Sequence, residues 1–240
     1  ETRLRDLPIQ LGSLALLREK PLVSLLNLTS PGDEVCVQEI LRYVEAIGCT
    51  GTIVSSSVGG DWVAEAVRLA ALSRKTRAKV IMAVGWGSSE EMPASSEEDS
   101  DAAVAALLAM LSEGVEVPAA CGERVRAGAI GTLVLRGHLS DTRLLSTLAA
   151  AHVRSGAPLL CNLPASGTAS AEAAEGVATA ALSSLLALKA AGVNLNRVLV
   201  SHSQHLLLAP DGLRALLREG ARCCFTGLGM SWSVTGARPG

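Results

Sequence analysis

The stretch "DTRLLSTLAAAHVRSGAPLLCNL", residues 141–163, contains one complete helix-to-strand unit. Ser140 and Asp141 are helix-capping types, because a short side-chain oxygen can accept from the free amides of a first turn. Leu144, Leu145 and Leu148 follow at helical spacing and make one apolar face. His152 falls one turn further on that face, which makes it a core or helix-end histidine. Gly156 stands where a helix C-terminus needs a left-handed residue. The run "PLLCNL", residues 158–163, then reads as a short buried strand.

The same grammar extends in both directions. "LVSLLNL" (22–28) reads as a strand, and "TSPGDE" is turn chemistry leading into a helix with Val37, Ile40, Leu41, Val44 and Ile47 on one face. "TIVSSS" (52–57) is the second strand. A helix from near Asp61, with Val63, Ala66, Val67 and Ala70 inward, leads to "KVIMAVG" (79–85). A helix over about 99–111 precedes "AGAIGTLVL" (127–135). A helix over 172–190 precedes "RVLVSH" (197–202), and a short helix opened by Pro210 and Asp211 precedes "RCCFTG" (222–227). Glycines 48, 156, 192 and 220 all fall at helix ends. Strands alternating with helices imply a parallel sheet with right-handed crossovers. Periodicity does not separate a doubly wound sheet from a barrel, but the glycine fingerprint of a nucleotide-binding sheet is missing after the first strand.

Two segments break the pattern. "WGSSEEMPASSEEDS" (86–100) is polar, acidic and proline-containing and reads as a mobile loop; "EGVEVPAACGERV" (113–125) reads as an irregular connection. In a barrel, long loops after strands gather at the face where ligands bind.

Composition narrows the function classes. The 240 residues suffice for one domain, 1–240, with its own core. Net charge is −2, from 21 basic and 23 acidic residues, and only five residues are aromatic, so neither an electrostatic footprint nor a stacking platform for nucleic acid is expected. Mean hydropathy is +0.36, yet no uninterrupted apolar run approaches a membrane span; the longest, 177–191, is broken by Thr179, Ser183, Ser184 and Lys189. The six cysteines form no Cys-x-x-Cys motif and several lie in apolar runs, so reduced buried thiols and an intracellular location, cytoplasm or organelle, are expected.

Taken in order, "RVRAGAIGTLVL", "DTRLLSTLAAAHVRSGAPLLCNL", "GVNLNRVLVSHSQ" and "LREGARCCFTGLG" resemble the phosphotriesterase-related branch of the amidohydrolase superfamily. The resemblance covers most of the chain and is best over 124–229. It implies a TIM-type (β/α)8-like barrel that holds one or two divalent metals and hydrolyses phosphoesters, lactones or amides. Seven strands are recognisable here, and an eighth, which in the family supplies a metal-binding aspartate, is not evident before Gly240.

The family's metal ligands map poorly onto this chain. Its first strand ends in His-x-His, and the matching stretch "LGSLALLREKPL" places Leu17 and Glu19 there, with Arg18 and Lys20 beside them. The bridging lysine or glutamate of its fourth strand corresponds to Gly131 and Thr132. The histidine ending its fifth strand corresponds to Asn162, a poor ligand for a transition metal. Only the histidine ending its sixth strand is kept, as His202. A hydrolytic zinc site needs about three protein ligands and an open position. No metal is therefore expected, with zinc as the alternative.

Other candidates have plainer readings beside the chemical ones. His202 is either a weak candidate for general base or an inherited strand-end histidine. His205 reads as a solvated loop residue, and His138 as a loop residue. Cys161 lies beside Asn162, but adjacent strand residues point to opposite faces, so it reads as a buried structural thiol; Cys223 and Cys224 receive the same reading. "SVGGDW" (57–62) reads as a glycine-rich turn capped by Asp61, or as an anion cradle.

Three functions follow as expectations. The first is a catalytically inactive barrel, a pseudoenzyme kept as a structural or protein-interaction subunit, with other subunits or further copies covering its open edges. The second is a divergent metal-dependent hydrolase of an ester, phosphoester or amide with His202 as base. The third is a binding module in which Arg18 or Lys20 grips an anionic ligand.

Overall fold

The computed structural model describes residues 24–27, 51–55, 61–76, 79–93, 97–117, 124–136, 141–164 and 170–225. Seven strands form one sheet: β1 (Ser24–Asn27), β2 (Gly51–Ser55), β3 (Lys79–Val84), β4 (Ala129–Val134), β5 (Leu159–Asn162), β6 (Val198–Ser201) and β7 (Arg222–Cys223). Every neighbouring pair is parallel and the strands lie in sequence order. Six of the seven fall inside the runs read as strands from the sequence, and β2 begins one residue before its run, at Gly51. Residues 113–125, read as irregular, hold a small antiparallel ribbon pairing Val115–Glu116 with Arg124–Val125.

That strand order settles what periodicity left open. A doubly wound sheet reverses its order and carries helices on both faces, whereas an unreversed parallel order keeps right-handed crossovers on one face. The packing agrees. Helices α1 (Trp62–Thr76), α2 (Glu97–Ser112), α3 (Thr142–Ser155), α4 (Ala171–Ala190) and α5 (Pro210–Arg218) all join one buried cluster with Met82, Val84, Ile130, Leu133, Leu159, Cys161, Val198 and Val200. Val54, Ala83, Ala129 and Leu160, with Leu199 against them, form a separate cluster on the other face. That second face is the barrel interior. The chain is a TIM-type α/β barrel in which, among the described residues, β1 and β7 each pair with one neighbour only.

The helix ends follow their sequence signals. Gly156, Gly192 and Gly220 have φ of 68°, 89° and 100°, as read; Gly48 and the helix carrying Val37 to Ile47 lie outside the described residues. Asp61 caps α1, accepting from Ala64 N at 2.9 Å, while the glycines before it lie outside the described residues. Val63 departs from its expected inward position. It is half exposed, and Ala66 and Leu69 make the buried face of α1. Helix α4 is long and apolar enough to cross a membrane by length and composition, which the search for uninterrupted runs passed over. Its Ala174, Ala178, Ala181, Leu185 and Leu188 lie one helical face apart and are buried against the sheet.

The loop after β3 is not the free segment that its acidic composition indicated. Trp86 is buried and its ring lies 5.0 Å from that of Trp62. Residues Ser89–Glu91 form a 3-10 turn, and α2 already begins at Glu97. Asp141 acts twice here, accepting from Leu144 N to cap α3 and from Ser89 N at 2.5 Å. Arg143 donates to the carbonyls of Ser89 and Pro93. A charged cap with two amide partners holds loop and helix together. Asp141→Ala is expected to cost about 1–2 kcal/mol and to speed amide exchange at Ser89, read by hydrogen–deuterium exchange. Unchanged exchange there would contradict the clamp.

Candidate functional site at the carboxyl ends of the strands

In a parallel barrel the reacting groups stand at the carboxyl ends of the strands. Among the described residues, Asn162 ends β5 and His202 follows β6, while Gly131 and Thr132, the positions matched on β4, lie within that strand, which runs on to Val134.

The middle of β4 is built around a bulge. Ile130 pairs with Leu159 and Leu133 with Cys161, so Gly131 and Thr132 together oppose Leu160 alone. The extra residue lets Ile130 and Leu133, three apart, both face the helices. Gly131 has φ of +140°, and a Cβ placed on it would lie 2.6 Å from the Leu160 carbonyl oxygen. No lysine fits that backbone. Thr132 is buried, and its Oγ1 has no hydrogen-bond partner among the described residues. An orphaned buried hydroxyl is a net cost, so Thr132→Val is expected to leave stability unchanged or raise it by about 1 kcal/mol, measured by urea denaturation. A clear loss would show that the hydroxyl is satisfied.

Asn162 ends β5 and pairs across the ladder with Ser201, the last residue of β6. Leu160 and Leu199, two residues before each, belong to the interior cluster, so Asn162 and Ser201 share the interior face. Both are half-buried, and neither side chain hydrogen-bonds a described residue. Ser201 was not singled out in the sequence, although its alternation with Leu199 in "RVLVS" carries that signal.

His202 follows β6 in the left-handed conformation, with φ of 64°, uncommon for a residue with a side chain. Burial holds its imidazole below the ordinary value, and the neighbouring His205 lowers it further. His205 is buried, not solvated as its loop position indicated, because residues Ser203–Leu208 fold into a 3-10 segment packed on α4 and α5. Burial lowers its value too. Both rings are therefore neutral at neutral pH. Ser203 is locked structurally, its hydroxyl donating to Val200 O at 2.7 Å while Cys224 O accepts from its amide.

Cys161 is fully buried on the helix side, where burial pushes its thiol far up, so it has no nucleophilic character. Cys223 and Cys224 are half-buried rather than core thiols, and burial raises both. Leu17, Arg18, Glu19, Lys20 and His138 lie outside the described residues. The strand paired with β2 begins at Ser24, five residues beyond Glu19, so the stretch matched to the family's first metal strand precedes β1 in the chain. A separate cleft of about 340 Å³ opens at the amino end of β4, with Arg154 its one charged lining residue.

A metal fits this donor set badly. Among the described residues no three His, Cys, Asp or Glu side chains converge. At the positions matched to the ligands of the resembled family, a mid-strand glycine, a carboxamide and one imidazole stand where a hydrolytic site needs anionic or imidazole ligands.

No protein-family model and no curated protein matches the sequence. Solved structures do. The lactonase from Listeria monocytogenes superposes with a TM-score of 0.61 at 16% identity, covering 86% of this chain and 67% of that one. The phosphotriesterase homology protein from Escherichia coli, with phosphate in its active site, gives 0.59 at 16%, covering 84% and 68%. The fold is that of the phosphotriesterase-like barrels. A variant organophosphorus hydrolase from Deinococcus radiodurans also matches at 0.55 and 17%, covering 86% of this chain and 64% of that one. The present phosphotriesterase-like barrel thus spans about two thirds of the length of these structures, and at such identities the likeness is one of fold.

Proposed function

We propose that this chain is a phosphotriesterase-like barrel that no longer performs metal-assisted hydrolysis and serves as a structural or protein-interaction subunit. The observation that carries this reading is the bulge at Gly131, where the backbone has no room for the charged bridging residue that the family resemblance implies. Asn162 and His202, the one imidazole at the described strand ends, support it, because one neutral imidazole supplies too little affinity to hold a catalytic zinc. The edges of β1 and β7, which among the described residues have no second neighbour, are the surfaces that further subunits or copies of the chain would cover, since unpaired parallel edges present open main-chain groups.

A second reading is a divergent metal-dependent hydrolase of an ester, phosphoester or amide with His202 as general base. It is favoured by the fold likeness to proteins described as a lactonase and an organophosphorus hydrolase. The two separate in a turnover assay on zinc-supplemented protein with lactone, phosphotriester and aryl ester substrates. The proposed function predicts no turnover above that of His202→Ala. Zinc-dependent turnover abolished by His202→Ala would overturn it.

A further inference from the structure

We infer that the cleft at the amino end of β4 is a binding site for a small zwitterion with an apolar side chain, of the type of an aliphatic α-amino acid. It goes beyond the proposed function, because it lies at the opposite end of the strands from the positions matched to a metal. Its volume of about 340 Å³ is at the small end of the range for ligand sites, and every residue lining it is among those described. The cleft opens between the last turns of α2 and α3, where the chain enters β4 through Ala127 and Gly128 and β5 through Ala157. Leu108 and Leu111, three residues apart on α2 and half-buried, make its apolar wall, with Ala127 and Ala157 beside them.

The polar lining decides the ligand class. The Ser112 hydroxyl donates to Leu108 O at 2.8 Å and the Ser155 hydroxyl to Ala151 O at 2.6 Å, so each keeps a lone pair but no proton for a ligand. The amides of Ala127, Gly128 and Ala157 are spent on Met110 O, Met82 O and the Ser155 hydroxyl. Acceptors remain, because the last carbonyls of a helix have no intrahelical partner and form its negative end. Met110 O and His152 O accept from Ala127 and Gly156, but the carbonyls of Leu111, Ser112, Arg154 and Ser155 accept from no described residue. Against these acceptors the lining sets one free donor, the exposed Arg154 guanidinium. A lone carboxylate would meet Arg154 but also two negative helix ends; a lone ammonium would meet the helix ends but also Arg154. A molecule carrying both groups on one carbon sets the carboxylate on the guanidinium fork and the ammonium on the carbonyl and hydroxyl oxygens. Its apolar side chain then covers Leu108 and Leu111.

The test is an amide NMR titration of the full chain with L-leucine, following the signals of Gly128 and Ala157. Isocaproate, which lacks only the ammonium, and isopentylamine, which lacks only the carboxylate, are titrated in parallel. Leucine is expected to shift both signals saturably, and each analogue is expected to bind about tenfold more weakly, the effect of one charged hydrogen-bonding group. Arg154→Gln is expected to weaken leucine about tenfold and to leave isopentylamine no weaker. The substitution is at an exposed position, and unchanged signals away from the cleft distinguish lost binding from lost fold. No saturable shift with leucine, either analogue binding as tightly as leucine, or leucine binding unchanged in Arg154→Gln would each overturn the inference.

Discussion

Gly131→Lys, which would place a lysine at the position matched to the bridging lysine of the resembled family, is expected to destabilise the chain by about 3 kcal/mol or more. Two effects combine. The backbone there has φ of +140°, a region that L side chains rarely adopt, and the new Cβ would lie 2.6 Å from Leu160 O and 2.9 Å from Leu160 Cβ. These contacts are main-chain and Cβ atoms of the neighbouring strand, so no rotamer relieves them, and β4 and β5 must separate. Gly131→Ala carries the same backbone penalty with less bulk, so most of the loss is expected with alanine as well. Urea denaturation of the two variants measures this. A lysine variant as stable as the parent would mean that β4 accepts a conventional strand and that a bridging residue was never sterically barred.

His152→Ala is expected to cost about 2–4 kcal/mol. The ring is almost fully buried, and both its nitrogens are used. Asn194 N–H donates to Nε2 at 3.1 Å, which fixes the proton on Nδ1, and that nitrogen donates to Ala157 O at 2.8 Å. The imidazole thereby ties the end of α3 to the approaches of β5 and β6. Burial is the main cause that holds its pKa below the usual value; the bond to Ala157 opposes that and the Arg197 charge adds to it. The unfolded chain therefore binds a proton more readily than the folded one. This contribution to stability is complete above about pH 6.5, the unfolded value, and is lost as pH falls from there toward the folded value. Denaturation midpoints between pH 7.5 and 5 should fall for the parent and fall less for His152→Ala. Parallel curves would show that His152 takes up no proton on unfolding.

The barrel was legible in the sequence because its signals are local. Capping residues, end glycines and apolar spacing at 141–163 and its neighbours repeat in one order, and each can be read within about twenty residues. Strand order, and with it the choice between barrel and doubly wound sheet, is a relation among distant strands; periodicity does not carry it, the family resemblance implied a barrel, and the pairing shows the order. The site was half legible. Asn162, Gly131, Thr132 and His202 were identified through the family resemblance, as the positions matched to its metal ligands. Ser201 was missed because it matters only through its register with Asn162. The bulge was missed because "AGAIGTLVL" reads equally well as an unbroken strand, and the contact that forbids a side chain at Gly131 lies on β5. His205 was misplaced for a similar reason, since the 3-10 segment that buries it is held by helices on either side of it in the chain. The acidic loop 86–93 was misread because its partners, Asp141 and Arg143, lie some fifty residues away.

The central claim, that the mouth of this barrel does not hold a catalytic metal, is tested most directly by the zinc content of the full chain. The protein would be expressed and purified with added zinc, dialysed against metal-free buffer and analysed for bound metal beside His202→Ala. The expected result is well under one zinc per chain in both proteins. One or two zinc ions per chain, retained through dialysis and lost in His202→Ala, would contradict the account.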